Sequence, residues 1–148
     1  MLTVAEIMTR EPYTLGPNDS LASARELLAA HHIRHIPIVS PQNNLIGLVS
    51  QRDVLAAADS CVLNNPPGET SQESYVALSA IMTSPVQTAD ETTSLRGAAM
   101  HLHKHKLGCL PVMRNGKLTG IITDADFVAI AINLMEQLEA SEPDEDDL

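Results

Sequence analysis

Aromatic side chains are scarce in this sequence. They make up 2% of the residues, with two tyrosines, one phenylalanine and no tryptophan. Apolar residues nevertheless reach 44%, so a core can form, but it must be built from Leu, Ile, Val, Ala and Met. A chain of 148 residues suits one domain of ordinary size, or two small halves that share a core.

Basic residues are few, since 9 Lys and Arg stand against 19 Asp and Glu and the formal net charge is -10. This balance argues against a general nucleic-acid binder and against a protein that binds anionic membranes, because both partners are polyanions. Much of the acidic excess lies near the end of the chain, so we interpret residues 137–148 as a solvated acidic tail.

Cysteine is nearly absent. Cys61 and Cys109 lie far apart in no metal-ligand spacing, and we interpret them as reduced thiols of a cytoplasmic protein. The first residues lack a basic segment followed by an apolar run, and no stretch is long enough to span a bilayer. We therefore expect neither a signal peptide nor a membrane segment.

The chain contains two copies of one pattern. Four features recur 74 residues later, namely the Ile-Met-Thr triplet at 7–9, Thr14, Ser20-Leu21 and Pro37. Beyond the proline the spacing becomes 73, so that Gly47, Ser50 and Asp53 are matched by Gly120, Thr123 and Asp126. A one-residue deletion explains the change, because the second copy has a tighter Asn-Gly turn.

Each copy predicts a short strand, a helix, two strands and a second helix, which together make a mixed α/β (α+β) fold. Ser20 and Ser50 are the expected N-caps of the two helices in the first copy. We place one unit at residues 1–60, a linker at 61–76 and the other unit at 77–136. A unit of about 60 residues is small for an independent core. We therefore expect the two units to pack sheet to sheet, as one pseudo-symmetric body with two clefts.

The repeated motifs resemble those of the CBS domain. They are Arg-His-Ile-Pro-Ile-Val at 34–39, Gly-Leu-Val-Ser-Gln-Arg-Asp at 47–53, Leu-Pro-Val-Met at 110–113 and Gly-Ile-Ile-Thr-Asp-Ala-Asp at 120–126. A tandem pair of this kind is called a Bateman module. Within the family, the short chain with an acidic tail resembles the bacterial acetoin-utilization type, AcuB.

The resemblance implies a non-enzymatic regulatory module that binds AMP, ADP, ATP or S-adenosylmethionine and requires no other cofactor. It implies flat homodimers and a regulated protein partner. The motif carries ribose contacts over to Ser50 and Asp53 in one cleft and to Thr123 and Asp126 in the other. It also implies an adenine wall along the two proline strands and a threonine near the base or phosphates; these residues are Ile36, Pro37, Leu110, Pro111, Thr14 and Thr88.

Two interpretations of the hydroxyl–carboxylate pairs stay open. A carboxylate in the first helical turn can accept hydrogen bonds from both ribose hydroxyls. Equally, Ser50 and Thr123 can be plain N-caps, with Asp53 and Asp126 favouring the helix dipole. The presence of two copies favours a ligand role in at least one cleft, and the two roles are compatible.

The two clefts are not equivalent in charge. Arg10, Arg34 and Arg52 surround the first motif, and the second copy has Ser84, Gly108 and Ala125 in their places. We hypothesise that Arg52 binds ligand, that a polyphosphate is better tolerated near these arginines, and that Asp124 disfavours a phosphate. The alternative is that the arginines are solvated surface groups.

Histidine is unusually frequent at the end of the first helix of each copy. These residues are His31, His32, His35, His101, His103 and His105. Pairs four residues apart can bind a metal on a helix, but no third ligand is evident, so we assign no metal residues. Two alternatives to a nucleotide sensor stay open: a ligand-free dimeric interaction scaffold, and a histidine-based metal or pH sensor.

The last predicted helix is strongly apolar, and the sequence lacks catalytic motifs. Residues 127–135 are apolar nearly all round, which is typical of a helix buried between the halves or against a second subunit. The sequence has no P-loop, nucleophile elbow or metalloprotease motif, so we expect no enzymatic activity.

Overall fold

A computed structural model describes residues 1–64 and 72–142. The helices are α1 (Val4–Ile7), α2 (Leu21–His31), α3 (Gln51–Asn64), α4 (Leu95–His105) and α5 (Asp124–Ser141). The strands are β1 (Thr9–Arg10), β2 (His35–Val39), β3 (Leu45–Ser50), β4 (Ala89–Asp90), β5 (Cys109–Arg114) and β6 (Lys117–Thr123). Short 3-10 turns span Gln72–Ser74 and Leu78–Ala80. None of the helices in residues 1–64 and 72–142 combines the length and the hydropathy that a membrane span needs.

The predicted mixed α/β fold of two repeated units is confirmed. Ser20 and Ser94 cap α2 and α4 by accepting hydrogen bonds from backbone N–H groups three residues on, at 3.1 and 2.9 Å. Both helices end at a left-handed residue, His32 or Lys106. The copies therefore share their helix signals, since both caps and both ends fall at repeat-equivalent positions.

The strands of each copy form an antiparallel hairpin with the same irregularity. β2 pairs with β3, and β5 pairs with β6. Each ladder shifts register shortly after its proline, between Ile38 and Val39 in the first copy and between Val112 and Met113 in the second. β4 adds to β5 in parallel, and β1 adds to β6, which gives a four-stranded sheet in the order β1-β6-β5-β4.

The segment that begins each copy packs on the other unit. In β1, Thr9 and Arg10 pair with Ile121 and Gly120 of β6. At the equivalent place in the other unit, Thr83 and Leu48 exchange two backbone hydrogen bonds, of 3.0 and 2.8 Å. The two units are therefore joined by a reciprocal crossing of their first residues, and neither has a complete core without the other.

Two core clusters reflect this crossing. One contains Leu78, from the start of the second copy, among residues of the first: Leu21, Ala24, Leu28, Ile36, Ile38, Val49, Val54, Ala58 and Cys61. The other contains Val4 and Met8, from the start of the chain, among residues of the second copy: Ala89, Leu95, Ala98, Leu102, Leu110, Val112 and Ile122.

The methionine of each Ile-Met-Thr triplet lies over a glycine of the opposite unit. A Cβ added at Gly120 would lie 2.5 Å from Met8 Sδ and 2.9 Å from the carbonyl oxygen of Thr9. A Cβ at Gly47 would collide with the Met82 side chain. Glycine is required at these two positions because the crossing segment approaches the backbone closely. The methionine of each triplet and the glycine of the opposite unit are therefore direct contact partners.

The hairpin turns of the two units also meet. Lys117 Nζ donates to the Gln42 carbonyl at 2.8 Å and to Asn44 Oδ1 at 2.9 Å, and Asn43 Nδ2 donates to the Leu118 carbonyl at 2.8 Å. The extra residue of the first copy lies in the turn that makes these contacts.

The segments that composition marks as linker and tail are partly helical. Helix α3 continues to Asn64, inside the predicted linker (61–76), and Val76 O accepts a 2.8 Å hydrogen bond from Leu21 N. Helix α5 continues to Ser141, inside the predicted tail (137–148). The remainder of these predictions, at 65–71 and 143–148, lies outside the described residues.

The prediction that α5 is buried between the halves is wrong, because no residue of the helix is buried. Its alternative, burial against a second subunit, stays a prediction. Phe127 and Ile130 pack against the second core cluster. The other large apolar side chains of the helix are exposed, for example Ile132 at 52% and Met135 at 59%. A helix that is apolar all round needs cover on more than one side, and one chain supplies a single side.

We expect Gly120→Ala to lower the free energy of unfolding by about 1–3 kcal/mol, because the new methyl group meets the backbone of the crossing segment as well as Met8. Gly47→Ala should cost less, since only the flexible Met82 side chain must move. Chemical denaturation measures both, with Gly16→Ala as the control, where the nearest atom is 3.5 Å away. Equal losses at 47 and 120 would contradict this account.

Candidate functional site

Two cavities open where the units meet. The Thr123 cavity has a volume of about 230 Å³. Its lining residues are Thr9, Pro12, Tyr13, His32, Ile33, Arg34, His35, Ile121, Thr123, Ala125 and Asp126. The Ser50 cavity is larger, at about 540 Å³. Its lining residues are Arg34, His35, Ser50, Gln51, Arg52, Lys106, Leu107, Gly108 and Asp124.

The cavities are pseudo-equivalent, and each is built from both units. Residues 32–34 precede the proline strand of the first copy, and they face the start of α5 from the second copy. Residues 106–108 precede the proline strand of the second copy, and they face the start of α3 from the first. A single copy therefore supplies half of each cavity.

Both hydroxyl–carboxylate pairs form capping interactions. Ser50 Oγ accepts from Asp53 N at 3.1 Å, and Asp53 Oδ2 accepts from Ser50 N at 3.2 Å. In the other copy, Asp126 Oδ2 accepts from Thr123 N at 2.8 Å, and Thr123 Oγ1 accepts from Asp126 N at 3.4 Å. Each box uses one carboxylate oxygen, and within the described residues Oδ1 of Asp53 and of Asp126 has no hydrogen-bond partner. The caps thus leave an acceptor for a ligand.

The predicted site residues are not all brought together. Ser50 and Arg52 line one cavity, and Thr123 and Asp126 line the other, whereas Asp53 is half-buried and lines neither. Thr14 lines a separate shallow depression beside Pro41, and Thr88 is exposed before β4.

The residues of the proline strands to which the resemblance assigns the adenine contacts do not reach either cavity. The side chains of Ile36, Pro37, Leu110 and Pro111 are fully buried and line neither cavity. Because core clusters cover these strands, the residues just before them reach the cavities instead, namely Ile33 in one and Leu107 in the other.

Sequence reasoning missed the aromatic wall of the Thr123 cavity. Tyr13 lines it and stacks on His31, with ring centroids 3.8 Å apart and an interplanar angle of 17°. The available signal was the rarity of aromatic residues together with the break in the repeat, because Gln87 stands at the position equivalent to Tyr13. The two cavities thus differ in one wall as well as in charge.

An ion pair lies on the boundary between the cavities. Arg34 Nη2 contacts Asp124 Oδ1 at 2.7 Å, and both side chains are about half exposed, at 54% and 47%. Arg34 lines both cavities. Arg10 does not join this cluster, because it pairs with Glu91 at 3.5 Å and lines neither cavity. The positive groups of the Ser50 cavity are therefore Arg34, Arg52 and Lys106.

His35 also faces both cavities, and its ring lies against Gly108. A Cβ at that glycine would approach the His35 ring at 2.7 Å, which explains why Arg34 has a glycine as its repeat equivalent. Burial lowers the pKa of His35 below its usual 6.5, and neighbouring Arg34 lowers it further, against the opposite effect of Asp124 and Asp53.

The cysteine and histidine clusters show no metal-site geometry. Burial raises the pKa of the Cys109 thiol to about 12, with a further contribution from Asp124, so the thiol is protonated at neutral pH. His101 and His105 rings lie 4.4 Å apart, and His101 Nε2 also lies close to Gln87 Oε1. In the part of the chain that the structure describes, no group of three or more His, Cys, Asp or Glu residues could hold a metal ion.

Comparison with known proteins agrees with the motifs and the geometry. The family model described as CBS domain matches residues 4–60 and 78–133. The chain belongs to the CBS domain family. Its two matched segments are the two repeated units, so the chain is a CBS pair.

Solved CBS pairs cover nearly the whole chain. A Vibrio cholerae protein assigned to acetoin utilization (AcuB) is 43% identical, with a TM-score of 0.78, and the alignment covers 97% of this chain and 99% of that one. The CBS pair of MJ0100, in complex with 5-methylthioadenosine and S-adenosyl-L-methionine, is 25% identical over 90% and 98% of the two chains, with a TM-score of 0.75. CBSX2 in complex with AMP is 29% identical over 91% and 99%, with a TM-score of 0.74. Among curated relatives, the chain spans 32%, 23% and 42% of the length of three that it matches.

The lowered pKa of His35 predicts that acid destabilises the CBS pair. The unfolded chain binds a proton at higher pH than the folded chain, so the free energy of unfolding should fall as the pH drops below 6.5. His35→Gln should flatten this dependence in denaturation experiments between about pH 7 and 5. The control His103→Gln, on the exposed side of α4, should keep it, and equal slopes for wild type and His35→Gln would refute the assignment.

Proposed function

We propose that this CBS pair is a non-enzymatic regulatory module that binds an adenosine-containing ligand, AMP, ADP, ATP or S-adenosylmethionine, in the Thr123 cavity. One observation carries the proposal: the same small cavity is lined by Tyr13 and Ile33 from one unit and by Asp126 from the other, and Oδ1 of Asp126 has no hydrogen-bond partner among the described residues. That combination suits a nucleoside, which has a flat base joined to a polar ribose. The relatives whose structures contain AMP, 5-methylthioadenosine and S-adenosyl-L-methionine support the choice of ligand class.

Each part of the ligand has a matching wall. Tyr13, held by its stack on His31, and Ile33 offer flat apolar surface to the base. Asp126 Oδ1 accepts from the ribose hydroxyls, because Oδ2 is already used by the Thr123 cap. A phosphate or other anionic group then lies towards Arg34, at the boundary between the cavities.

The Ser50 cavity is a second, more polar site. Ser50 lines it together with Arg52 and Lys106, which add positive charge, while Asp53 forms the cap with Ser50 without lining the cavity. We assign this cavity to a ligand that carries more phosphate. Thr14 and Thr88 stay proposed contacts for an extended ligand, and Ile36, Pro37, Leu110 and Pro111 support the walls from the core.

We further propose a homodimer formed through α5. Val128, Ile132 and Met135 lie on one face of the helix, and each is more than half exposed. A regulated protein partner would sense how ligand alters the packing of the two units. The two buried, unpaired cysteines are typical of a reducing compartment, and on that ground we place the protein in the cytoplasm.

Asp126→Asn tests the ligand site. Titration calorimetry with AMP, ATP and S-adenosylmethionine should show affinity about 10- to 100-fold lower, because a charge-assisted hydrogen bond is worth about 1.5–3 kcal/mol. The amide can still cap α5, so the melting temperature without ligand should change little. Asp90→Asn, exposed on β4, is the control.

Three outcomes separate the candidate functions. Weakening by Asp53→Asn alone would move the site to the Ser50 cavity. If none of these ligands raises the melting temperature of the wild-type protein, the nucleotide proposal fails in favour of the interaction scaffold. A melting temperature raised by Zn²⁺ and not by nucleotides would instead favour the histidine-based sensor.

Ile132→Glu tests the dimer. A charge buried in an apolar interface is costly, so light scattering should report the mass of one chain for this variant and of two for the wild type. Tyr75→Glu changes an exposed side chain outside α5 and should leave the mass at two chains. A wild-type protein that is monomeric across the micromolar range would contradict the proposal.

A further inference from the structure

We propose that Arg34 serves the two cavities in alternation: a phosphate chain bound in the Ser50 cavity withdraws Arg34 from Asp124 and thereby weakens the binding of an anionic ligand in the Thr123 cavity. Asp124 and the phosphate chain compete for the guanidinium of Arg34. The inference deepens the proposed function and, for its second half, rests on it.

The geometry that carries this inference is the position of one ion pair. Arg34 lines both cavities, whereas its partner Asp124 lines only the Ser50 cavity. The pair has a single contact of 2.7 Å between Nη2 and Oδ1, so the guanidinium keeps other N–H groups for a second acceptor. Both side chains are about half exposed, which makes the pair weak and exchangeable compared with a buried one.

The charges of the Ser50 cavity favour the exchange. Arg34, Arg52 and Lys106 line it together with the single carboxylate of Asp124. Among the described residues, Arg52 and Lys106 form no ion pair. A phosphate chain brings several oxygens and more negative charge than one carboxylate, so it competes for Arg34 with the help of two further cations.

Movement of Arg34 towards a phosphate chain in the Ser50 cavity also changes the charge of the Thr123 cavity. When Arg34 turns towards a phosphate chain, the Thr123 cavity loses the only Lys or Arg among its lining residues. Asp124 then loses its ion-pair partner and keeps the hydrogen bond from Ala125 N, at 2.8 Å, so an anion in the Thr123 cavity meets a negative charge that no cation balances. A ligand without negative charge at that end is expected to be unaffected.

Inorganic triphosphate tests the exchange without any nucleoside. In calorimetry, Asp124→Asn should bind triphosphate about fivefold more tightly, because the competing carboxylate is removed. Arg34→Gln should bind it about five- to tenfold more weakly. Arg114→Gln is the matched control, since Arg114 pairs with Glu91 at 3.6 Å and lines neither cavity. Sodium chloride keeps the ionic strength equal in all titrations, because salt screens such contacts.

A second titration tests the coupling. AMP affinity should fall about fivefold in saturating triphosphate for the wild type. In Arg34→Gln, AMP binding should be weaker from the start and change little on adding triphosphate. Adenosine, which lacks the phosphate, should show no fall. Titrating ATP beside triphosphate separates a nucleotide from free polyphosphate as the natural source, since a nucleotide site gains affinity from the adenosine.

Each result decides the inference. Absence of triphosphate binding, or equal triphosphate affinity for wild type, Asp124→Asn and Arg34→Gln, overturns it. A triphosphate effect on AMP that is the same in wild type and Arg34→Gln also overturns it, because simple repulsion would then suffice. If AMP and adenosine do not bind at all, the proposed function fails, while the triphosphate affinities still decide the exchange between Arg34 and Asp124.

Discussion

The structure depends on the reciprocal crossing of two short segments. The residues that begin each copy lie on the other unit, where Met8 covers Gly120 and Met82 covers Gly47. Backbone hydrogen bonds repeat the exchange, since Leu95 N donates to Leu2 O at 2.9 Å and Leu21 N donates to Val76 O at 2.8 Å. Each core is thereby completed by the other half of the chain, and the cavities necessarily form at the boundary between the units.

In the proposed function, capping and binding use different atoms of the same side chains. The boxes at Ser50 and Thr123 each engage one carboxylate oxygen, and of the two aspartates Asp126 also lines a cavity. The cap orders the aspartate side chain in the absence of ligand, which lowers the entropic cost of binding. Asymmetry then arises from a few substitutions between the copies. Tyr13 lines the Thr123 cavity, whereas its repeat equivalent Gln87 does not line the Ser50 cavity. Arg34 has a glycine, Gly108, as its equivalent, so the two cavities share the single guanidinium of Arg34.

Much of the fold was predictable because the repeat doubles every local signal. Ser20 and Ser94 mark the starts of equivalent helices, and the hairpins around Pro37 and Pro111 have the same order and the same bulge. The site was predictable only in its polar half. The motif identifies Thr123 and Asp126, but the apolar half comes from Tyr13 and Ile33, which are distant in sequence and carry no motif. The strands around Pro37 and Pro111 carry recognisable motifs, but their side chains belong to the hydrophobic core.

The local structure and the chemistry of the two helix starts follow from the amino-acid sequence, because caps, turns and alternation depend on neighbours along the chain. The way in which the two halves face each other follows from long-range packing. The pairing of Thr9 with Ile121 puts the first residues on the second unit, and it brings Arg34 against Asp124, 90 residues away. Such contacts depend on packing between surfaces that no spacing rule connects. The same reason applies to α5, because its apolar residues do not specify the surface that they contact.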